Sequence, residues 1–234
     1  MGFRLDGSGV LRWEAWERYD WVAHGFTTRL SGDFAEPVGV AEPIGVSDMK
    51  LRSLRQVHSG LVYNADADFP NEGDGLVGSQ PDSLLTVRVA DCLPLLLLDP
   101  TRRVVGAVHS GWRGAAAGIA SRAVAKMHKD FGCAPGELQA LLGPCIGAER
   151  FEVGPEVAEQ FPDEAVVDRK PRPHLNLEHA VRLQLRAAGV ESIEGGGLCT
   201  YDREDWFYSY RRQGKAAGRM VAAIGIRSSL STPG

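Results

Sequence analysis

Between Ser83 and His109 the chain holds three apolar runs in quick succession, each of strand rather than helix length. SLLTVRVA (83–90) alternates as a half-buried strand does, and LPLLLLD (93–99) reads as a buried strand. RVVGAVH (103–109) is a third and ELQALLG (137–143) a fourth. Helical spacing follows at once. After GWRG, apolar residues fall at Ala116, Ile119, Ala120, Ala123, Val124, Met127 and Phe131, one helical face, and Gly132 stands where a terminating glycine belongs. A second helix is predicted over Leu177–Ala188, with Asn176 as N-cap and Gly189 beyond its end. A short third begins at Pro155 and stops before Pro162. Strands in the majority with a few helices between them define an α/β chain, expected to be one domain over residues 1–234 with mixed sheets flanked by helices.

Other classes fall away on composition. Apolar residues are 44% and charged residues 24% of 234, which excludes disorder and fibrous repeats, and 28 glycines forecast many tight turns. A net charge of −4 gives no global attraction to nucleic acid or to an anionic membrane. The charged first residues lack an export h-region, and apolar runs such as Leu95–Leu98 are far short of a membrane span. Cys92, Cys133, Cys145 and Cys199 contain no CxxC pair, so a reduced, cytoplasmic compartment is expected, with a monomer as the default. Segments 36–46 and 169–174 read as loops, and the tail from 228 as a frayed end.

Six histidines are available. His128 and His179 fall within helices and His174 in a loop, whereas His58 and His109 each close a predicted strand and are followed by small residues. Cys92, in VADCLP, closes another. Separated by 34 and 17 positions, these three can meet only through tertiary structure. Two imidazoles and a thiolate suit zinc with an open fourth position, and the same set is the trigonal copper arrangement. Without metal, Cys92 could be a nucleophile with a histidine as its base, or simply a small core residue.

Around them lie weaker signals. HSGWRG (109–114) puts a helix start and Arg113 beside His109, where phosphate could sit, or else is only a tight strand-to-helix turn. Asp74, in EGDGLV, is an orienting carboxylate, a substrate acceptor or part of a turn; Asp91 could hold a histidine tautomer or close a turn. In WFYSYRRQGKAAGRM (206–220), Tyr208, Tyr210, Arg211 and Arg212 could stack on a base and contact phosphate, or belong to an alternating strand with solvated arginines. GGG (195–197) lacks a nucleotide-loop context, and the HxE…PCxxC zinc-deaminase signature is absent.

Taken in order, HGFTTR (24–29), QVHSG (56–60), DGLV (74–77), ADCLPLLLLD (90–99), VHSGWRG, LGPCIG–FEVGPEV (142–157) and YSYRRQGKAAGRM (208–220) resemble the YfiH-like family. These are purine nucleoside phosphorylases formerly called polyphenol oxidase or laccase-domain proteins, and also known as the peptidoglycan editing factor family. The resemblance covers roughly residues 20–228; at TTRLSGDF the chain departs from the family's usual double glycine. It implies an α/β, cysteine-hydrolase-like fold and a zinc site of His58, Cys92 and His109, with copper as the other metal. It also implies phosphorolysis of adenosine, inosine or methylthioadenosine, adenosine deamination, and a link to cell-wall precursor editing. Purine nucleoside and phosphate are then the expected partners, with Arg29, Asp74, Arg113 and Arg211 as substrate-binding candidates. Six histidines are too few for a four-copper oxidase, which leaves single-copper phenol oxidation, a cysteine-type amidohydrolase and a zinc- or nucleotide-binding module as the other expectations.

Overall fold

The computed structural model describes residues 2–228, so the expected frayed tail lies, apart from Ser228, outside the described residues. Strands in chain order are β1 (Phe3–Leu5), β2 (Val10–Trp13), β3 (Val22–Thr27), β4 (Lys50–Arg52), β5 (Val62–Asn64), β6 (Gly75–Gly78), β7 (Ser83–Val89), β8 (Leu93–Asp99), β9 (Val104–Ser110), β10 (Gln139–Leu142), β11 (Val166–Val167), β12 (His174–Leu175), β13 (Ser192–Gly195) and β14 (Met220–Ile226). The helices are α1 (Ala41–Ile44), α2 (Trp112–Ala116), α3 (Ile119–Phe131), α4 (Pro155–Ala158), α5 (Leu177–Ala187) and α6 (Tyr210–Gln213). One six-stranded sheet has the order β1-β2-β3-β14-β7-β4 and a second β13-β10-β8-β9-β6-β5, both mixing parallel and antiparallel pairs.

The layers explain the hydrophobic patterns. Leu93, Leu95 and Leu97 of β8 pack with Ile119, Ala123 and Met127 of α3, while Leu96 and Leu98 pack with Leu85, Val87 and Val89 of β7. The second sheet is therefore buried on both faces, which is why β8 reads as an unbroken apolar run. β7 turns Leu85, Val87 and Val89 to that core and Leu84 to the cluster on the other side of the first sheet, so it is buried at every position but Arg88 rather than half-buried as its alternation suggested. Asp99 closes the β8–β9 hairpin by accepting the N–H groups of Thr101 (2.9 Å) and Arg102 (2.8 Å).

Several expected boundaries move. The helix after GWRG is two pieces, because Gly118 adopts φ +73 between α2 and α3. The helix begun at Pro155 is a single turn, and residues 36–46 contain the one-turn α1, ended by Gly45 at φ +80. Residues 208–220 are not an alternating strand. They form α6 and a 3-10 turn before β14 starts. His174 lies in the two-residue strand β12 rather than in a loop. In α5, Asn176 Oδ1 accepts the His179 N–H at 3.0 Å, the expected cap.

Candidate metal centre and cavity

Three local structures deliver the site. The first is the crossing between sheets, Ala90–Cys92, where the chain leaves β7 for β8. Asp91 takes φ +85 there, an unusual conformation for a residue with a side chain. Its carboxylate accepts Thr200 Oγ1–H at 2.7 Å and the Arg211 N–H at 2.6 Å, so it ties the crossing to two later loops. The possibility that Asp91 holds a histidine tautomer is thereby corrected.

The second is β9, whose penultimate residue His109 is paired in register with Pro94 and so stands near Cys92. Directly after it comes Gly111. A Cβ at that position would lie 3.0 Å from Cys92 Sγ and 3.1 Å from His58 Cδ2, so tight that the cysteine and histidine would have to shift by a few tenths of an ångström.

The third is a loop, and here the expectation that His58 closes a strand is wrong. His58 is exposed, with φ +58, in the irregular segment between β4 and β5. Asp74 replaces strand pairing as the restraint. Its fully buried carboxylate accepts the N–H groups of Val57 (3.3 Å), His58 (3.0 Å) and Ser59 (2.6 Å) and the Ser59 hydroxyl (2.7 Å). The same carboxylate accepts His109 Nδ1–H at 2.8 Å. One anion thus orients both histidines, and the DG turn is incidental.

The ligand atoms of His58, Cys92 and His109 all lie within 4.8 Å of one another, and the two imidazole rings meet edge to face with centroids 4.9 Å apart. Burial pushes the Cys92 thiol up, but the charge of His109 and hydrogen bonds to both histidines outweigh it and hold the thiol well below its ordinary range. Burial opposes charge on His109 too, yet Cys92 and Asp74 raise it. For Asp74, hydrogen bonds from His109 and Ser59 override burial and keep it ionised. A ready thiolate, two imidazoles of which one is carboxylate-backed, and a glycine that clears the space between them fit a zinc or copper ion. Among the described residues this is the one cluster of three or more such donors.

The trio forms part of the lining of a cavity of about 820 Å³. Arg113 and Arg211 also line it, each with its guanidinium near an aromatic ring, Trp112 at 4.2 Å and Phe151 at 5.4 Å. Tyr210 lines it as well. Two substrate candidates fall elsewhere. Asp74 sits behind His109 rather than on the cavity wall, and Arg29 donates to the Glu204 carbonyl at 2.8 Å and covers Tyr208, away from the lining. Arg212 is occupied by the carbonyls of Thr200, Tyr201 and Phe207. Sequence reasoning missed Arg88, Lys215 and Arg219, which also line the cavity, and Ser59 and Thr200 behind it.

Fold and site together define an α/β protein with two packed mixed sheets and a mixed thiolate–imidazole centre in a basic cavity. The model of a family described as multi-copper polyphenol oxidoreductase laccase matches residues 38–227, and the chain belongs to that family. It is 38% identical over 229 residues to a purine nucleoside phosphorylase of Deinococcus radiodurans, covering 88% of this chain and 89% of that one. The solved structure of YlmD from Geobacillus stearothermophilus superposes with a TM-score of 0.87 at 29% identity, over 97% and 99% of the two chains. That of a hypothetical protein YfiH from Bacillus licheniformis gives 0.85 at 28%, over 96% and 99%. The YfiH-like resemblance read from the motifs is borne out. No helix among the described residues is long and apolar enough to cross a membrane.

Proposed function

We propose that the protein is a zinc-dependent purine nucleoside phosphorylase that cleaves adenosine or inosine with phosphate, and that adenosine deamination occurs at the same site. The observation that carries this reading is the placement of His58, Cys92 and His109 in one cavity with Arg113, Arg211 and three aromatic rings. The name of the Deinococcus relative supports it.

In phosphorolysis a phosphate oxygen bonds to ribose C1′ while the C1′–N9 bond breaks and its electron pair leaves with the purine. Arg113 and Arg211 hold the phosphate as a charge-matched nucleophile. Trp112, Phe151 and Tyr210 offer faces for the base. The departing purine needs a proton, which His58, the exposed member of the trio, would pass when it is off the metal. Asp74 fixes the Nδ1–H tautomer of His109, leaving Nε2 for Cys92 or a metal. A zinc ion held by the three side chains would supply Lewis-acid polarisation and an activated water for deamination.

Product analysis of zinc-loaded protein with adenosine, with and without phosphate, tests the reading. Adenine and ribose 1-phosphate are expected only with phosphate, and inosine in both tubes; no conversion in either overturns it.

One observation favours a second reading. Cys92, His109 and Asp74 line up as nucleophile, base and orienting carboxylate, the arrangement of a cysteine amidohydrolase, for which a cell-wall precursor is the candidate substrate. A chelator would spare that enzyme and iodoacetamide would inactivate it.

A further inference from the structure

The cavity holds more positive charge than phosphorolysis with one free phosphate uses. Arg88, Arg113, Arg211, Lys215 and Arg219 line it against a single carboxylate, Asp91, whose oxygens are taken by Thr200 and the Arg211 N–H. Arg113 and Arg211 are accounted for above. The other three line the same cavity. Arg88 is on β7, and Val221 of the neighbouring β14 pairs with it in register. Arg219 lies just before β14, two positions from Val221, and its side chain lines the cavity with that of Arg88.

These arginines are held in place and yet have N–H groups to spare. The Gln56 side chain clamps the Arg88 backbone, accepting its N–H and donating to its carbonyl, both at 2.8 Å. The Arg219 N–H is fixed on Asp33 at 2.8 Å. Through Nη1, Arg88 donates to the Ala35 carbonyl, and Arg219 to the carbonyls of Ala217 and Gly218. Their Nε and Nη2 groups meet no protein acceptor among the described residues. Two exposed carboxylates stand near, Glu36 at 3.6 Å from Arg88 and Asp33 on the Arg219 N–H, and Lys215 makes no ion pair among the described residues.

We propose that Arg88, Lys215 and Arg219 form a second anion subsite that takes a dianionic phosphoryl group, so that the cavity accepts nucleosides already bearing a phosphate. Two guanidinium edges and an ammonium exceed what the exposed Glu36 and Asp33 neutralise and offer donors for the three oxygens of a phosphoryl group. The subsite rests on the nucleoside reading above, and a cavity of this size has room for both ligands.

Calorimetric titration of the zinc-loaded full chain with adenosine, adenosine 5′-monophosphate and inorganic phosphate tests it. The monophosphate is expected to bind about ten-fold more tightly than adenosine, or better. The Arg88→Gln/Arg219→Gln double variant is expected to erase that advantage while adenosine affinity stays within about two-fold. Lys215→Gln, on an exposed turn where misfolding is not a concern, is expected to reduce the advantage in part. If the unaltered chain binds adenosine and its monophosphate equally and the double variant weakens only inorganic phosphate, the nucleotide reading is overturned and the subsite takes free phosphate. If adenosine binds normally and neither phosphorylated ligand responds to the variants, the subsite is overturned and the nucleoside reading survives. If no nucleoside binds at all, both fall.

Discussion

Asp74 shows how a residue can matter to a site without touching what binds there. It collects three backbone N–H groups, a hydroxyl and an imidazole on one carboxylate, and so couples the loop of His58 to the strand of His109. Asp74→Asn keeps the shape but turns one acceptor into a donor. Metal affinity is expected to fall about ten- to a hundred-fold in competition with a chromophoric chelator. Cys92→Ala removes the only thiolate of the trio, and zinc retention, phosphorolysis and deamination are expected to disappear together. Full-rate survival of either activity would refute a shared site. At this scale residue type made the trio legible, since a thiol and two imidazoles beside small residues have few ordinary reasons to meet. Asp74 was legible only as a candidate, because its partners are mostly backbone groups that no side-chain pattern reveals. Arg88 and Arg219 were not legible at all. They are neighbours only across strands that lie far apart in sequence.

Elements were readable where one physical cause acts. β8 is apolar throughout because layers cover both its faces, and the sequence-based boundaries match those observed. The helix after GWRG was read as continuous because its apolar spacing crosses Gly118 unbroken; the positive φ there depends on packing that spacing does not encode. His58 was assigned to a strand end because Val57 precedes it, although Asp74 captures the backbone N–H groups that a strand would have shared. Burial ranks the elements by energy. Leu97→Ala, at a fully buried position in β8, is expected to cost about 2–5 kcal/mol in urea unfolding. Asn176→Ala, which removes only the cap of α5, is expected to cost about 1 kcal/mol.

For the molecule as a whole, His24 contributes to the loss of stability in acid. Buried in β3, its Nε2 accepts the Trp13 N–H at 3.0 Å, and burial with the charge of Arg12 brings its pKa down from 6.5 to about 3. The unfolded chain therefore binds the proton first. The stabilisation is complete above pH 6.5 and declines as pH falls toward 3. His24→Gln is expected to flatten the loss of Tm between pH 6.5 and 4, leaving the steeper fall at lower pH to ionised carboxylates such as Asp74. The layering has a consequence for timing as well. Cys92 and His109 are anchored to the strands packed on both faces, and His58 rides a surface loop between the two sheets. Hydrogen–deuterium exchange is expected to be slower for β8 and β9 amides than for those of residues 53–61, with Val57, His58 and Ser59 the slowest of the loop because Asp74 holds them, and zinc is expected to slow the loop alone. Comparable slowing in both would mean that the metal organises the strands too. The expected pattern makes His58 the last ligand to arrive and the first to leave, and its loop the step that sets the lifetime of the loaded centre.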